Sequence, residues 1–113
     1  MQIFEKPWGR EELLEHNSKY MFKKLIMKKG HRCSIQYHEQ KIETVYVISG
    51  QLKLYSGNDK ENLKVRILSE GDVVTIQPGL IHRMEAMDDC VYFEASTPEL
   101  EDVIRLVDDY ERV

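Results

Sequence analysis

Hydrophobic and polar residues alternate along most of this chain, which is typical of strands that bury one face and expose the other. The alternation predicts about nine strands, at 10–16, 20–27, 33–38, 43–49, 51–55, 63–68, 72–76, 81–87 and 90–95. Turn-forming residues separate these strands at regular intervals. The pattern therefore predicts an all-β barrel or sandwich rather than an alternating α/β fold.

Two segments depart from the strand pattern. Residues 56–62 form the most polar stretch and predict an exposed hairpin loop. Residues 96–99 read Ser-Thr-Pro-Glu, which is typical of a helix start. Apolar residues then recur at helical spacing, at Leu100, Val103, Ile104 and Val107. We expect a short C-terminal helix packed on the barrel, with an irregular turn as the alternative.

The composition is that of an ordinary globular protein. The chain has 113 residues, which suits a single domain at 1–113, and hydrophobic and charged residues make up 42% and 32% of it. The net charge is −4 with both signs interspersed, which argues against nucleic-acid binding. No apolar run is long enough to cross a bilayer, and the N-terminus lacks a hydrophobic signal segment. We therefore expect no membrane contact and a cytoplasmic location.

The two cysteines, Cys33 and Cys90, have neither disulfide-framework nor zinc-finger spacing. We expect both to be reduced, packed thiols. Strand alternation predicts that Cys33 lies on the face opposite Gln36 and His38, so we do not expect it to bind a metal.

Four side chains form a candidate metal site. Gln36 and His38 share one strand face, and Glu43 returns to that face after a turn. His82 follows the Pro78-Gly79 turn on a separate strand. This set of oxygen and nitrogen donors suits a divalent transition metal, and the neutral glutamine leaves only one formal negative charge. A Gln-x-His pair alone is more often an ordinary hydrogen-bonded strand feature, so the prediction depends on all four residues together.

The glycine spacing around these donors resembles the two motifs of the cupin family, Gly30…Gln36-x-His38…Glu43…Gly50 and Gly71-Asp72…Pro78-Gly79-x-x-His82. The resemblance implies a double-stranded β-helix, or jelly-roll barrel. Cupins usually have histidine where this chain has Gln36. Glutamine there is similar to the phosphomannose isomerase branch, in which Gln, His, Glu and His hold zinc.

Further segments resemble the C-terminal domain of bifunctional phosphomannose isomerase/GDP-mannose pyrophosphorylases: Lys6-Pro7-Trp8-Gly9, Ser34–His38, His82-Arg83, Asp102–Arg105 and Asp108–Tyr110. The similarity runs from Lys6 to Arg112 and includes no nucleotidyltransferase part. It implies a metal-dependent aldose–ketose isomerase acting on mannose 6-phosphate or a related sugar phosphate, with zinc as the expected metal. Departures at Lys41, Val45 and Glu111 bear on the substrate more than on the fold.

Such an isomerase needs a base that moves a proton between two carbons. Glu94 is the first candidate, because an inward carboxylate in an apolar strand would have a raised pKa. An outward, solvated Glu94 is the alternative. Lys41 and His31 are further candidates, although both types of residue are usually exposed in loops.

A sugar phosphate also needs cationic anchors. We expect Arg83 and Arg105 first, followed by Arg10, Lys6 and Arg112. Alternation turns Arg83 away from the face of His82 unless a bulge intervenes. For Arg105 the alternative is an ion pair with Asp108 or Asp109, and Trp8 is expected as a lid or dimer contact rather than a sugar-stacking platform.

Two other functions stay open. The chain could be a regulatory cupin that binds a sugar or nucleotide sugar without catalysis, or a different metal enzyme such as an iron dioxygenase. Gln36 disfavours the dioxygenase, because ferrous oxygenases use two or three histidines and a carboxylate. We also expect a homodimer, because small cupins commonly pair through edge strands.

Overall fold

The computed structural model describes residues 1–112, which contain eleven strands and no helix. The strands are β1 Gln2–Lys6, β2 Gly9–His16, β3 Met21–Met27, β4 Ile35–Tyr37, β5 Glu43–Ser49, β6 Leu52–Gly57, β7 Lys64–Leu68, β8 Val73–Ile76, β9 Ile81–Ala86, β10 Cys90–Ser96 and β11 Ile104–Val107. They form two antiparallel sheets, ordered β1-β2-β3-β10-β5-β8 and β11-β4-β9-β6-β7. The predicted all-β fold is confirmed. None of the described residues belongs to a helix of the length and apolarity that a membrane span requires.

All nine predicted strands are present, with ends that fall within two residues of the prediction. The pattern missed the short β1, which pairs with β2. Ser56 and Gly57, placed in the exposed loop by the sequence, belong to β6.

The predicted C-terminal helix is wrong. Residues 97–103 have no regular structure, and Ile104–Val107 is a strand that pairs with β4. Two physical reasons favour the strand. Ile104 and Val107 are β-branched, and the neighbouring edge of β4 offers backbone hydrogen bonds that a helix would leave unused.

The hydrophobic core lies between the inward faces of the two sheets. Its fully buried members include Met27, Val45, Val47, Leu52, Leu68 and Ile76. Strand β3 buries both apolar and charged side chains on one face. Alternation places Met21, Leu25 and Met27 on this face, and Lys23 is buried between them. The inward face thus carries charged side chains as well as the apolar core.

Gly9 begins β2 where two backbones approach closely. Its φ is +151°, and a Cβ there would lie 1.9 Å from the carbonyl oxygen of Ile26. Both the backbone and its neighbour would have to move to admit any side chain.

We expect Gly9→Ala to lower the free energy of unfolding by more than about 3 kcal/mol. Gly71→Ala is the matched control, because Gly71 also has a positive φ, +89°, but nothing lies within 4 Å of the added Cβ. That control should cost only about 1 kcal/mol. Urea unfolding measures both values, and equal losses would contradict the steric account of Gly9.

Candidate metal centre

Three buried side chains from separate parts of the chain converge at one point. His38 follows β4, Glu43 opens β5, and His82 lies in β9. The Oε1 atom of Glu43 is 3.3 Å from Nε2 of His38 and 3.5 Å from Nε2 of His82. One ligand atom from each residue lies within 4.8 Å of the others, so the three could hold one metal ion.

The hydrogen bonds of the two imidazoles favour metal binding. Nδ1 of His38 lies 2.6 Å from the carbonyl oxygen of Asp102, and Nδ1 of His82 lies 2.9 Å from that of Leu80. A carbonyl oxygen only accepts, so both Nδ1 atoms donate. With each Nδ1 donating to a carbonyl, Nε2 is the ring atom that faces the Glu43 carboxylate. Each Nε2 can either donate a proton to Glu43 or, without that proton, offer a lone pair to a metal, and a divalent ion would replace the shared protons between the three side chains.

Lys41 is buried beside the same carboxylate, although its residue type suggested an exposed loop position. Its Nζ lies 3.5 Å from Oε2 of Glu43. Burial alone would lower the pKa of Lys41, but the negative charges of Glu43 and Glu94 raise it. Burial would likewise raise the pKa of Glu43, yet hydrogen bonds from His38 and His82 and the charge of Lys41 hold it well below its usual range. Lys41 therefore stays charged and balances Glu43.

Gln36 lies next to this cluster. Its Cα is paired with that of His82 across β4 and β9, and its side chain lines the same cavity. The buried hydroxyl of Ser34 donates to Oε1 of Gln36 over 2.6 Å. An amide oxygen has two lone pairs, so the second remains free for a metal ion.

The cluster opens into a cavity of about 400 Å³ between the sheets. Its apolar wall includes Phe4, Trp8, Leu25, Met84 and Tyr92. Trp8 is 3% exposed and belongs to the core, so its side chain is packed within the chain and is not available as a dimer contact. A cavity of this size suits a small molecule.

Glu94 faces this cavity, and the alternative of an outward, solvated carboxylate is excluded. Burial raises the pKa of Glu94 to about 8, and the negative charge of Glu43 contributes to the increase. A carboxyl group with this pKa can exchange a proton near neutral pH.

Three charged residues of the cavity were missed by the sequence analysis: Glu11, Lys23 and Glu101. Lys23 donates to Oε2 of Glu11 over 3.1 Å, and both side chains line the cavity. Lys23 is paired across the sheet with Glu94. The alternation of β3 was a usable signal, because it places Lys23 on the buried face between Met21 and Leu25.

Arg105 lies on β11, paired with Gln36 across the strands, and lines the cavity. The alternative ion pairs do not form: Asp108 pairs with Arg112, and Asp109 pairs with Arg32 and Arg83. Within residues 1–112, the Nε of Arg105 is buried without a hydrogen-bond partner.

Lys6 and Arg112 also line the cavity, and the charges of Arg105 and Arg112 both act on Lys6. Burial lowers the pKa of Lys6, Glu11 opposes this, and the positive charges of Lys23, Arg105 and Arg112 lower it further. This mutual effect of positive charges marks a cationic region beside Arg105. An anion there would relieve the repulsion.

Three predicted site residues lie outside the cavity. Arg83 is buried, but its Nε donates to the carbonyl of Cys33 and its terminal nitrogen pairs with Asp109, as the alternation of β9 suggested. Arg10 is partly exposed and pairs with Glu12 over 2.7 Å. His31 bonds to the hydroxyl of Tyr110 over 2.7 Å. The structure therefore brings none of these three to the metal cluster.

The predicted position of Cys33 is wrong, because its side chain lines the cavity. Strand β4 begins only at Ile35, so the alternation used in the prediction does not extend back to this residue. Burial raises the pKa of the Cys33 thiol to about 11, which keeps it protonated at neutral pH.

Comparison with known proteins places this site in context. The family model described as "Cupin domain" matches residues 24–96. The chain is similar to the mannose-1-phosphate guanylyltransferase of Escherichia coli K12, with 27% identity over 96% of this chain and 23% of that protein. It thus spans about a quarter of this relative's length. The predicted resemblance to this group is confirmed.

Two solved structures share the fold. KdgF from Halomonas sp. has a TM-score of 0.76 and 18% identity, over 90% of this chain and 92% of that one. The capsular polysaccharide assembling protein CapF from Staphylococcus aureus has a TM-score of 0.80 and 19% identity, over 94% of this chain and 34% of that one. With the motif residues converging between two antiparallel sheets and the family model matching most of the barrel, the chain belongs to the cupin domain family.

Proposed function

We propose that this protein is a metal-dependent sugar-phosphate isomerase that interconverts an aldose and a ketose, with mannose 6-phosphate and fructose 6-phosphate as the expected pair. The proposal rests on the set of side chains that line the cavity. One cavity is lined by a His-Glu-His cluster, a carboxyl group of raised pKa and an arginine whose Nε is buried without a hydrogen-bond partner among residues 1–112. The similarity to a mannose-1-phosphate guanylyltransferase supports a mannose-related substrate.

Gln36, His38, Glu43 and His82 would hold the metal, and zinc is the expected ion because it accepts nitrogen and oxygen ligands in this number. When bound, the ion supplies a Lewis acid that stabilises negative charge on the substrate's oxygens.

Glu94 supplies the base. In its carboxylate form it removes the proton from C2 of the aldose, and the electron pair shifts so that O1 carries the negative charge of an enediolate. A proton then moves from O2 to O1, and Glu94 returns its proton to C1, which leaves the carbonyl at C2. The raised pKa makes the carboxylate a stronger base than an exposed glutamate. Lys41 is the second candidate, but its contact with Glu43 favours a role in charge balance.

Arg105 is the proposed phosphate anchor, with Lys6 and Arg112 beside it. Arg112 is already paired with Asp108, whereas no carboxylate within residues 1–112 pairs with Arg105. A guanidinium with free donors binds phosphate strongly and directionally. Arg105 lies opposite Gln36 across β11 and β4 and lines the same cavity as the proposed metal ligands.

The homodimer and the cytoplasmic location stay predictions. The outer face of the six-stranded sheet exposes Tyr46 and Val73, which are neighbours across β5 and β8. Apolar residues side by side on an exposed sheet support the dimer expectation.

Purified protein should contain about one zinc ion per chain, and His82→Ala should lose it because only two of the three clustered donors remain. His31→Ala is the control, since this imidazole lies outside the cavity. Elemental analysis of the dialysed proteins measures the content. A wild-type protein that takes up no divalent transition metal would contradict the site.

Glu94→Gln should lower kcat for mannose 6-phosphate by about 100-fold or more, since the amide cannot accept the proton. Zinc content should not change. The matched control is Glu85→Gln, because Glu85 bonds to Tyr55 and is not among the cavity residues. A coupled assay of fructose 6-phosphate formation measures the rate. No turnover by metal-loaded wild type would favour the non-catalytic sugar-binding function instead.

Arg105→Met should raise KM for mannose 6-phosphate by about 10- to 100-fold, the cost of a lost charge-assisted hydrogen bond. Arg105→Lys should recover part of the loss, because it restores the charge without the fork of donors. Arg66→Met, on the exposed strand β7, is the control. An unchanged KM in Arg105→Met would exclude the anchor while leaving the metal site intact.

A further inference from the structure

The segment between β10 and β11, residues 97–103, contributes to the wall of the cavity, and we name it the strap. Leu100, Glu101 and Val103 of the strap line the cavity. At its start, Thr97 and Ile42 exchange two hydrogen bonds, both of 3.1 Å, through the Thr97 hydroxyl and backbone. The strap is therefore attached to the loop that joins β4 to β5.

Asp102 makes the most extensive of these attachments. Its carboxylate accepts the backbone N–H groups of Glu39, Gln40 and Lys41, at 3.0, 2.8 and 2.9 Å. These hydrogen bonds lower the pKa of Asp102, so it is ionised at neutral pH. The three N–H groups are consecutive, and the loop that they belong to runs from His38 to Glu43.

The backbone of Asp102 completes the contact. Its carbonyl oxygen accepts the Nδ1 hydrogen of His38 at 2.6 Å. One strap residue thus fixes the imidazole of His38 through its main chain and, through its side chain, the loop between two of the proposed metal ligands. Groups that orient a ligand in this way commonly change metal affinity when they are removed.

We propose that Asp102 is a positioning residue that couples the strap to the metal site. This inference rests on the metal site of the proposed function but not on catalysis. Since coupling between two sites is reciprocal, metal binding should also stabilise the strap. The strap and the metal centre then order together.

Asp102→Asn tests the coupling with little change in shape. The amide keeps one acceptor oxygen and replaces the other with a donor, so it cannot serve all three N–H groups. We expect zinc affinity, measured by competition with a chelator, to fall about 10- to 100-fold. Asp59→Asn is the matched control, because Asp59 also accepts a backbone N–H, that of Glu61, but in an exposed loop. Its zinc affinity should equal that of the wild type.

Amide hydrogen exchange provides the second readout. In the wild type, zinc should slow exchange of the strap and of residues 39–41, and in Asp102→Asn this effect should be lost. If Asp102 only stabilised the β4–β5 loop, Asp102→Asn would lower the stability of the metal-free protein and leave its zinc affinity unchanged. A zinc affinity of Asp102→Asn within threefold of the wild-type value would overturn the coupling but not the metal site. An equal loss of zinc affinity in Asp59→Asn would do the same. A wild type that binds no zinc would overturn the metal site and the coupling together.

Discussion

The structure of the cavity depends on one buried carboxylate, that of Glu43. Removing a carboxylate from water is costly unless it is paired, and Glu43 obtains its partners from two separate segments, the β4–β5 loop and strand β9. Oε1 faces the imidazoles of His38 and His82, and Oε2 faces the ammonium of Lys41. The β4–β5 loop and strand β9 must keep their relative positions to maintain these contacts. The pairing around Glu43 is therefore a constraint on the fold as well as on the site.

The relative positions of the partners of Glu43 are maintained because the inward faces of the sheets carry both core residues and charged residues. Along β5, the inward residue Glu43 is followed at alternate positions by Val45 and Val47, which belong to the core. Along β3, Lys23 is followed in the same way by Leu25 and Met27. Packed apolar side chains thus hold the charged ones in place, and a charged group on such a support loses little conformational entropy when it binds.

The sequence predicted the site better than its surroundings. The spacing of Gln36, His38, Glu43 and His82 identified side chains that the structure brings to one cavity, because alternation and a short turn determine which face each residue occupies. For Glu94 the sequence left an inward and an outward carboxylate open, and the structure shows that it lines the cavity. The strand face that a residue occupies is determined by its near neighbours in sequence, so a local pattern can predict it.

The errors have a common physical cause. Whether residues 104–107 form a helix or a strand depends on the free edge of β4, and the burial of Lys41 depends on Glu43 and on the strap. Alternation already turned Arg83 away from the face of His82, but its partners, Asp109 and the carbonyl of Cys33, are far away in sequence. Each outcome is determined by a partner distant along the chain, which a local pattern does not contain.

Lys41 also changes the charge count of the proposed metal site. Among the four proposed donors only Glu43 carries a charge, so one negative charge would face a divalent ion. The structure adds the ammonium of Lys41, which lies 3.5 Å from the Glu43 carboxylate. Glu43 and Lys41 together carry no net charge. The positive charge of a bound ion would therefore be less neutralised by the protein, and the ion would attract its other ligands more strongly. The same ammonium weakens the attraction of the site for a cation. In the proposed isomerase reaction, a substrate that becomes more negative would compensate, and an enediolate has that property. Under that proposal, the pairing of Lys41 with Glu43 favours a site that binds its metal moderately and stabilises a developing oxyanion strongly.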